Sequence, residues 1–150
     1  MDENRLKHSI SVARKMVEIA RDKNLTEEDI KNCFIIGYEF TENGINHNII
    51  GGEILRNSNF KYWKEVYYHG EINVEYKSLY LDILNQADMQ IDKYGNDVGY
   101  DKRLEDIKNR YGEDSEVYKK CCKIVDKIRW HLDYVLNYIY FSLKNFFIMI

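Results

Sequence analysis

The sequence predicts an all-α fold, a compact bundle of about six to seven helices. Apolar residues recur at spacings of three and four along most of the chain, which is the period of an amphipathic helix. Proline is absent and glycine occurs only 8 times in 150 residues, so little interrupts helices. Hydrophobic residues make up 45% of the chain and charged residues 31%, a composition typical of a folded domain rather than a disordered chain.

The first two predicted helices have clear starts and faces. Residues 4–23 place their apolar side chains on one side of a helix. The second helix begins at Thr26, which can cap it with Asp29 in the capping-box position, and it runs to Gly37. Because the run 34–36 (Phe-Ile-Ile) is apolar on all faces, we expect this helix to be central and buried.

A polar turn over residues 38–46 leads to a third helix, which starts near residue 46 or 47 and runs to Leu55. Gly51 and Gly52 lie inside it, at a cost of roughly 1 kcal/mol each in helix propensity. Such a pair indicates close helix packing or the close approach of a ligand. The remaining predicted helices of the body cover residues 60–69, 75–89, 101–111 and 115–128.

The C-terminal part of the chain is more aromatic and more apolar than the body. We therefore divide the chain into a helical domain, residues 1–128, and a hydrophobic helical extension, residues 129–150. The extension has about the length of a membrane span, but Asp133 and Lys144 are among the residues that interrupt it. It contains an apolar helical stripe formed by Val135, Leu136, Ile139, Leu143 and Phe146. Three alternatives stay open: packing of a last helix (or a poorly folded tail) against the bundle, self-association, and contact with a membrane surface.

Charge and cysteine content bound the possible partners. The formal net charge of −3 offers no basic surface, so nucleic acid is not an expected partner. Cys33, Cys121 and Cys122 form an odd set without metal-binding spacing, as expected of reduced intracellular thiols. The charged start MDENRLKHS contains no apolar stretch, so we expect no signal peptide and a cytoplasmic location.

Five short segments, in order, resemble the HD-domain phosphohydrolase superfamily, and more closely a group of small bacterial HD-domain proteins. The segments are RLKHS (5–9), GGEIL (51–55), VYYHG (66–70), NQADM (85–89) and KRLEDIKNRYG (102–112). In that superfamily a helical bundle holds a divalent metal between a first histidine, a His-Asp dyad and a distant aspartate. The resemblance implies that His8 is the first ligand and Asp88 the last.

The dyad itself is missing from this chain. The resemblance places it after the second helix, in a segment of the type Gly-Tyr-Leu-His-Asp-Ile-Gly-Tyr-Glu-Phe, where this chain reads GYEF. His8 and Asp88 alone are too few ligands for a stable site. Glu39, His47 and His69 are the candidates to complete the metal shell, and for each the alternative is a surface or packing role.

The resemblance implies a metal-dependent phosphohydrolase acting on a nucleotide or another small phosphate ester, degenerate because the dyad is absent. Its cofactor would be a divalent metal such as manganese, iron or magnesium. Lys102 or Arg103 would meet the phosphate of the substrate as charge-assisted donors. The alternative function is a non-catalytic helical binding or interaction module derived from an HD domain.

Overall fold

The computed structural model describes residues 3–39 and 47–148, which form seven α-helices and no strand. The helices are α1 (Glu3–Asp22), α2 (Glu27–Glu39), α3 (His47–Asn57), α4 (Trp63–Tyr68), α5 (Leu79–Asp88), α6 (Gly99–Tyr111) and α7 (Glu116–Ile148). The predicted all-α bundle of six to seven helices is confirmed for these residues. Most of the turn predicted at 38–46 lies outside the described residues.

Local signals set several helix ends as predicted. The Asp29 N–H donates to Thr26 Oγ1 at 3.2 Å, and the Thr26 N–H donates to Asp29 Oδ2 at 3.3 Å, which forms the expected capping box. Gly112 ends α6 at a φ of 91°, a conformation that favours glycine. Helix α5 starts later than predicted because Ser78 caps it, accepting the Leu81 N–H at 3.0 Å.

Helix α5 is the centre of the bundle, since it packs against α1, α2, α4 and α7. One apolar cluster joins α1, α2 and α5, and its largest buried members are Met16, Ile36, Ile83, Leu84 and Ile91. A second cluster joins the C-terminal end of α5 to α6 and α7 through Met89, Ile107, Ile124 and Val125. The end of α5, where Asp88 lies, is therefore between the two clusters.

The expectation that the second helix is central and buried is wrong for one of its faces. Cys33 and Ile36 are fully buried, whereas Phe34 is 44% and Tyr38 is 49% exposed. Helix α2 packs against α1, α4 and α5 on one side, and its outer side lies in solvent. An apolar run covers all faces of a helix, but only the faces that meet neighbouring elements are buried.

Close backbone approach explains the glycines in two of the helices. A Cβ at Gly52 would lie 2.5 Å from Tyr67 Cβ, so the pairing of α3 with α4 depends on this glycine. A Cβ at Gly37 would lie 2.5 Å from Ala13 Cα, so α1 and α2 also pack closely because this residue is glycine. Of the two explanations predicted for the Gly51–Gly52 pair, close helix packing is therefore the one that applies to Gly52.

The hydrophobic extension is the continuation of α7, with no break at residue 128. Every residue from 129 to 144 is exposed, although Arg129 Nη2 donates to Asp101 Oδ1 of α6 at 2.7 Å, so the buried core of the body does not continue along the extension. Within the described residues, no helix combines the length and apolar character needed to cross a membrane.

Candidate functional site

His8 and Asp88 lie together although 80 residues separate them in the sequence. The His8 Nε2–H donates to Asp88 Oδ1 at 3.0 Å, and the two side chains are only 2% and 15% exposed. Helix α1 supplies the histidine and the last residue of α5 supplies the aspartate. The two residues that the resemblance assigns to one site are therefore in direct contact.

A tight loop after α5 fixes the orientation of the His8 ring. Its Nδ1–H donates to the Asp92 carbonyl oxygen at 2.8 Å. The Asp92 carboxylate in turn accepts the backbone N–H groups of Tyr94 and Asn96 at 2.9 and 2.8 Å, which holds that loop in place. Because Nδ1 faces a carbonyl oxygen and Nε2 faces the Asp88 carboxylate, both bonds form together with an ionised Asp88 when the ring is the doubly protonated imidazolium.

Asp88 is held in its ionised form. Burial opposes its charge, but the hydrogen bond from His8 and the positive charges of His8, Arg103 and His69 outweigh this and lower the pKa of Asp88 well below its ordinary value. A carboxylate with such a low pKa has no proton to donate at neutral pH. The Asp88 carboxylate therefore balances the positive charge of the buried groups around it.

Asp88 also lines a cavity of about 470 Å³ between α5, α6 and α7. Its cationic lining residues are Arg5, Arg103, Arg110 and Lys120, and its carboxylates are Asp88 and Glu71. The apolar part of its wall is formed by Met89, Ile107, Tyr111, Val117 and Ile124. Arginine and lysine side chains next to an apolar wall suit a small anionic molecule that has an apolar part.

The cationic side chains are held by carboxylates at the edge of the cavity. Arg103 and Arg110 both donate to Asp106 Oδ2, at 3.2 and 2.9 Å, so two guanidinium groups share one acid. Lys120 Nζ donates to Glu71 Oε1 at 2.6 Å. Arg103 is only 4% exposed. This arrangement positions the two guanidinium groups beside the cavity.

The rim of the cavity is the loop after α4, and two asparagine side chains hold it. Asn48 Nδ2 donates to Glu71 Oε1 at 3.1 Å and to the His69 carbonyl oxygen at 3.4 Å. Asn85 Oδ1 accepts the Gly70 N–H at 2.8 Å, and Gly70 has a φ of 73°. These bonds place the backbone of residues 69–71 against α3 and α5.

His69 and Cys121 add polar groups without adding a nucleophile. His69 is buried, lines the cavity, and donates its Nδ1–H to the Val66 carbonyl oxygen at 2.6 Å. Burial and the charge of Asp88 raise the pKa of the Cys121 thiol to about 11. The thiol therefore stays protonated at neutral pH and is a poor nucleophile.

The other predicted site residues have mixed outcomes. Arg103 lines the cavity, whereas Lys102 is exposed and does not, because one step along a helix turns a side chain by about 100°. Glu39 is the half-buried last residue of α2 and does not line the cavity. His47 starts α3, and its side chain lies outside the described part of the chain.

Sequence reasoning did not single out Arg5, Arg110 or Lys120. A signal was present for two of them: Arg5 precedes His8 by three residues on α1, and Arg110 follows Arg103 by seven on α6, so each pair shares a helix face. Lys120 has no such partner in sequence and joins the site only through the packing of α7.

The described residues do not suit a catalytic metal. Among them no group of three or more histidine, cysteine, aspartate or glutamate side chains is close enough to hold an ion. His8 and Asp88 supply two ligand types that divalent metals accept, but two ligands do not fix the geometry that a catalytic ion needs.

Comparison with known proteins adds no relative: no family model, no curated protein and no solved structure matches this chain. The resemblance to HD-domain proteins therefore stays a prediction based on the five segments and on the implied pair.

Proposed function

We propose that this protein is a degenerate HD-like domain that binds a small phosphorylated molecule, a nucleotide or another phosphate ester, without hydrolysing it. The observation that carries the proposal is the cavity at the end of α5, which is lined by Arg5, Arg103, Arg110 and Lys120 beside an apolar wall. Arginine is the side chain best suited to phosphate because its planar fork donates two parallel hydrogen bonds.

The shape of the cavity supports a ligand with two unlike ends. Its volume of about 470 Å³ lies in the usual range for small-molecule sites. Arg103 and Arg110 would bind the phosphate, and Ile107 and Tyr111, on the same helix, would contact the rest of the molecule. Free thiols at Cys33, Cys121 and Cys122 support a cytoplasmic location for this activity.

Two groups at the site are unsuited to hydrolysis. Asp88 is ionised and hydrogen-bonded to His8, so it is not a general acid, and the Cys121 thiol is protonated, so it is a poor nucleophile at neutral pH. No step through a metal is derived, because the described residues bring only two ligands together.

Calorimetric titration with inorganic phosphate and with adenosine monophosphate tests the proposal. The double variant Arg110→Ala/Lys120→Ala should bind at least about tenfold more weakly than the wild type, since each lost charge-assisted bond contributes roughly 1.5–3 kcal/mol. Lys102→Ala is the matched control, because Lys102 is an exposed cation on α6 outside the cavity, and its affinity should stay within about twofold. Equal affinity in all three proteins, or no binding at millimolar ligand, would refute the proposal.

A metal-dependent phosphohydrolase is the second candidate, and the orientation of His8 favours it. A metal-ligating histidine usually donates its second ring N–H to a carbonyl or carboxylate, as His8 Nδ1 does to the Asp92 carbonyl oxygen; a metal would replace the proton that Nε2 now donates to Asp88. Manganese or iron retained stoichiometrically after dialysis, with phosphatase turnover lost in His8→Ala, would decide for this candidate. Metal-free protein without turnover in added manganese, iron or magnesium would decide for binding alone.

A further inference from the structure

The exposed part of α7 carries more apolar surface than a monomer normally shows. Its five aromatic side chains are between 60% and 68% exposed: Trp130, Tyr134, Tyr138, Tyr140 and Phe141. At roughly 150–250 Å² per aromatic side chain, they alone leave on the order of 600 Å² of surface in water. The largest apolar patch on a typical monomer is about 300–600 Å². This segment therefore has the surface of an element that is normally covered.

An aliphatic stripe along this segment continues the face by which α7 packs against the body. Val125 and Ile128 of α7 belong to the second apolar cluster. The same alternation of three and four residues continues past the body through Leu132, Val135, Ile139 and Leu143, which are 41% to 53% exposed. A seam with this alternation is the pattern by which one helix packs against another. The stripe (Leu132, Val135, Ile139 and Leu143) therefore matches a helical partner.

The charges of the segment argue against a lipid surface as that partner. Between residues 129 and 144 the only charged side chains are Arg129, Asp133 and Lys144, and the two cations stand at opposite ends. Helices that lie on membranes carry a polar face rich in lysine and arginine, which anionic lipids attract. Here almost nothing would provide that attraction.

We propose that a second copy of this chain covers the stripe, with the two α7 extensions packed antiparallel. In that alignment Val135 lies beside Ile139 of the second copy, and Leu132 beside its Leu143, so the stripe is complementary to itself. The two bodies then lie at opposite ends of the helix pair and do not compete for space. Asp133 comes close to the level of Lys144 of the second copy, where the two opposite charges attract each other. The two helix dipoles point in opposite directions. Both effects favour the antiparallel arrangement over a parallel one.

The extension is long enough to form a helix pair. Residues 129–148 extend the helix by roughly 30 Å. The stripe with the flanking Leu136 and Tyr138, which are 64% and 68% exposed, gives an apolar seam along that length. Trp130, Tyr134 and Phe141 face the other side of α7 and add nothing to this seam. The dimer therefore depends on the aliphatic stripe with Leu136 and on the few charges that flank it.

Sedimentation velocity of the full chain tests the proposal, with two variants that introduce glutamate on opposite faces of the helix. Val135→Glu/Ile139→Glu should raise the dissociation constant of the dimer at least about 100-fold. The control Trp130→Glu lies nine residues before Ile139, two and a half turns away on the opposite side of the helix, and should change it less than about threefold. Circular dichroism melts should show the same body stability in all three proteins, because the changed side chains are exposed.

Three results would overturn the proposal: a monomeric wild type at 100 μM, equal dissociation in both variants, or flotation of a monomer with vesicles of phosphatidylcholine and phosphatidylserine. Disulfide trapping tests the direction, in chains that also carry Cys121→Ser and Cys122→Ser. Val135→Cys chains mixed with Ile139→Cys chains should cross-link to each other. Cross-linking of Ile139→Cys chains only among themselves would mean a parallel pair and would refute the alignment.

Discussion

Removal of the aspartate from the His8–Asp88 pair should lower the free energy of unfolding by about 3 kcal/mol, the low end of what is seen when a buried pair is broken. The two side chains are 2% and 15% exposed, so water can replace little of the lost bond. The charge-assisted hydrogen bond itself contributes roughly 1.5–3 kcal/mol. Asp88→Ala also leaves the buried positive charge of His8 without its carboxylate. For a domain of this size the melting temperature should fall by roughly 6–12 °C.

A double-mutant cycle with His8→Ala, Asp88→Ala and the combined variant measures the interaction by urea unfolding. We expect a coupling energy of about 2 kcal/mol, because each single change already removes the shared bond. Lys7→Ala is the control, since its ion pair with Glu3 is 56% and 79% exposed and should be worth less than about 0.5 kcal/mol. Additive effects of the two single changes would refute the view that His8 and Asp88 stabilise each other.

The same pair should make stability depend on acid. The pKa of Asp88 is lower in the folded protein than its ordinary value of about 3.9, so its contribution is fully present above that pH and is lost as the pH falls towards the folded pKa. Asp88→Asn should therefore reduce the loss of stability measured between pH 4 and pH 2. An unchanged slope in Asp88→Asn would show that Asp88 is not ionised in the folded protein.

Two further predictions concern packing. Gly52→Ala should destabilise the protein by about 1–2 kcal/mol in urea unfolding, because the new Cβ would meet the backbone of Tyr67 at 2.7 Å and this clash outweighs the helix propensity gained. Glu53→Ala is the control. A Gly52→Ala protein more stable than the wild type would contradict the packing of α3 on α4. Cys33 is fully buried and its pKa is raised to about 11, so a thiol reagent at pH 8 should label it only after unfolding in urea. Rapid labelling of Cys33 in the native protein, with the labelled site identified by mass spectrometry, would show that the core of α1, α2 and α5 opens.

Local signals were enough to predict the helices of this protein. Capping at Thr26 and the stop at Gly112 depend on a few neighbouring residues, and the spacing of apolar side chains depends on the helix period alone. The sequence could not predict which apolar faces are covered. Phe34 is exposed although the preceding residue, Cys33, is fully buried in the core. Which face of a helix is buried depends on elements far away in the chain.

The site shows the same division. The resemblance predicted that His8 and Asp88 belong together, and the structure places them 3.0 Å apart. It did not predict the cationic lining, to which α1, α6 and α7 each contribute. Helix period tells which residues share a face of one helix, whereas the meeting of faces from different helices depends on how the whole core packs. The sequence by itself therefore determined the helices and one pair of the site. Only the tertiary structure decided that Arg5, Arg110 and Lys120 line one cavity and that the extension of α7 lies uncovered, because long-range packing sets both.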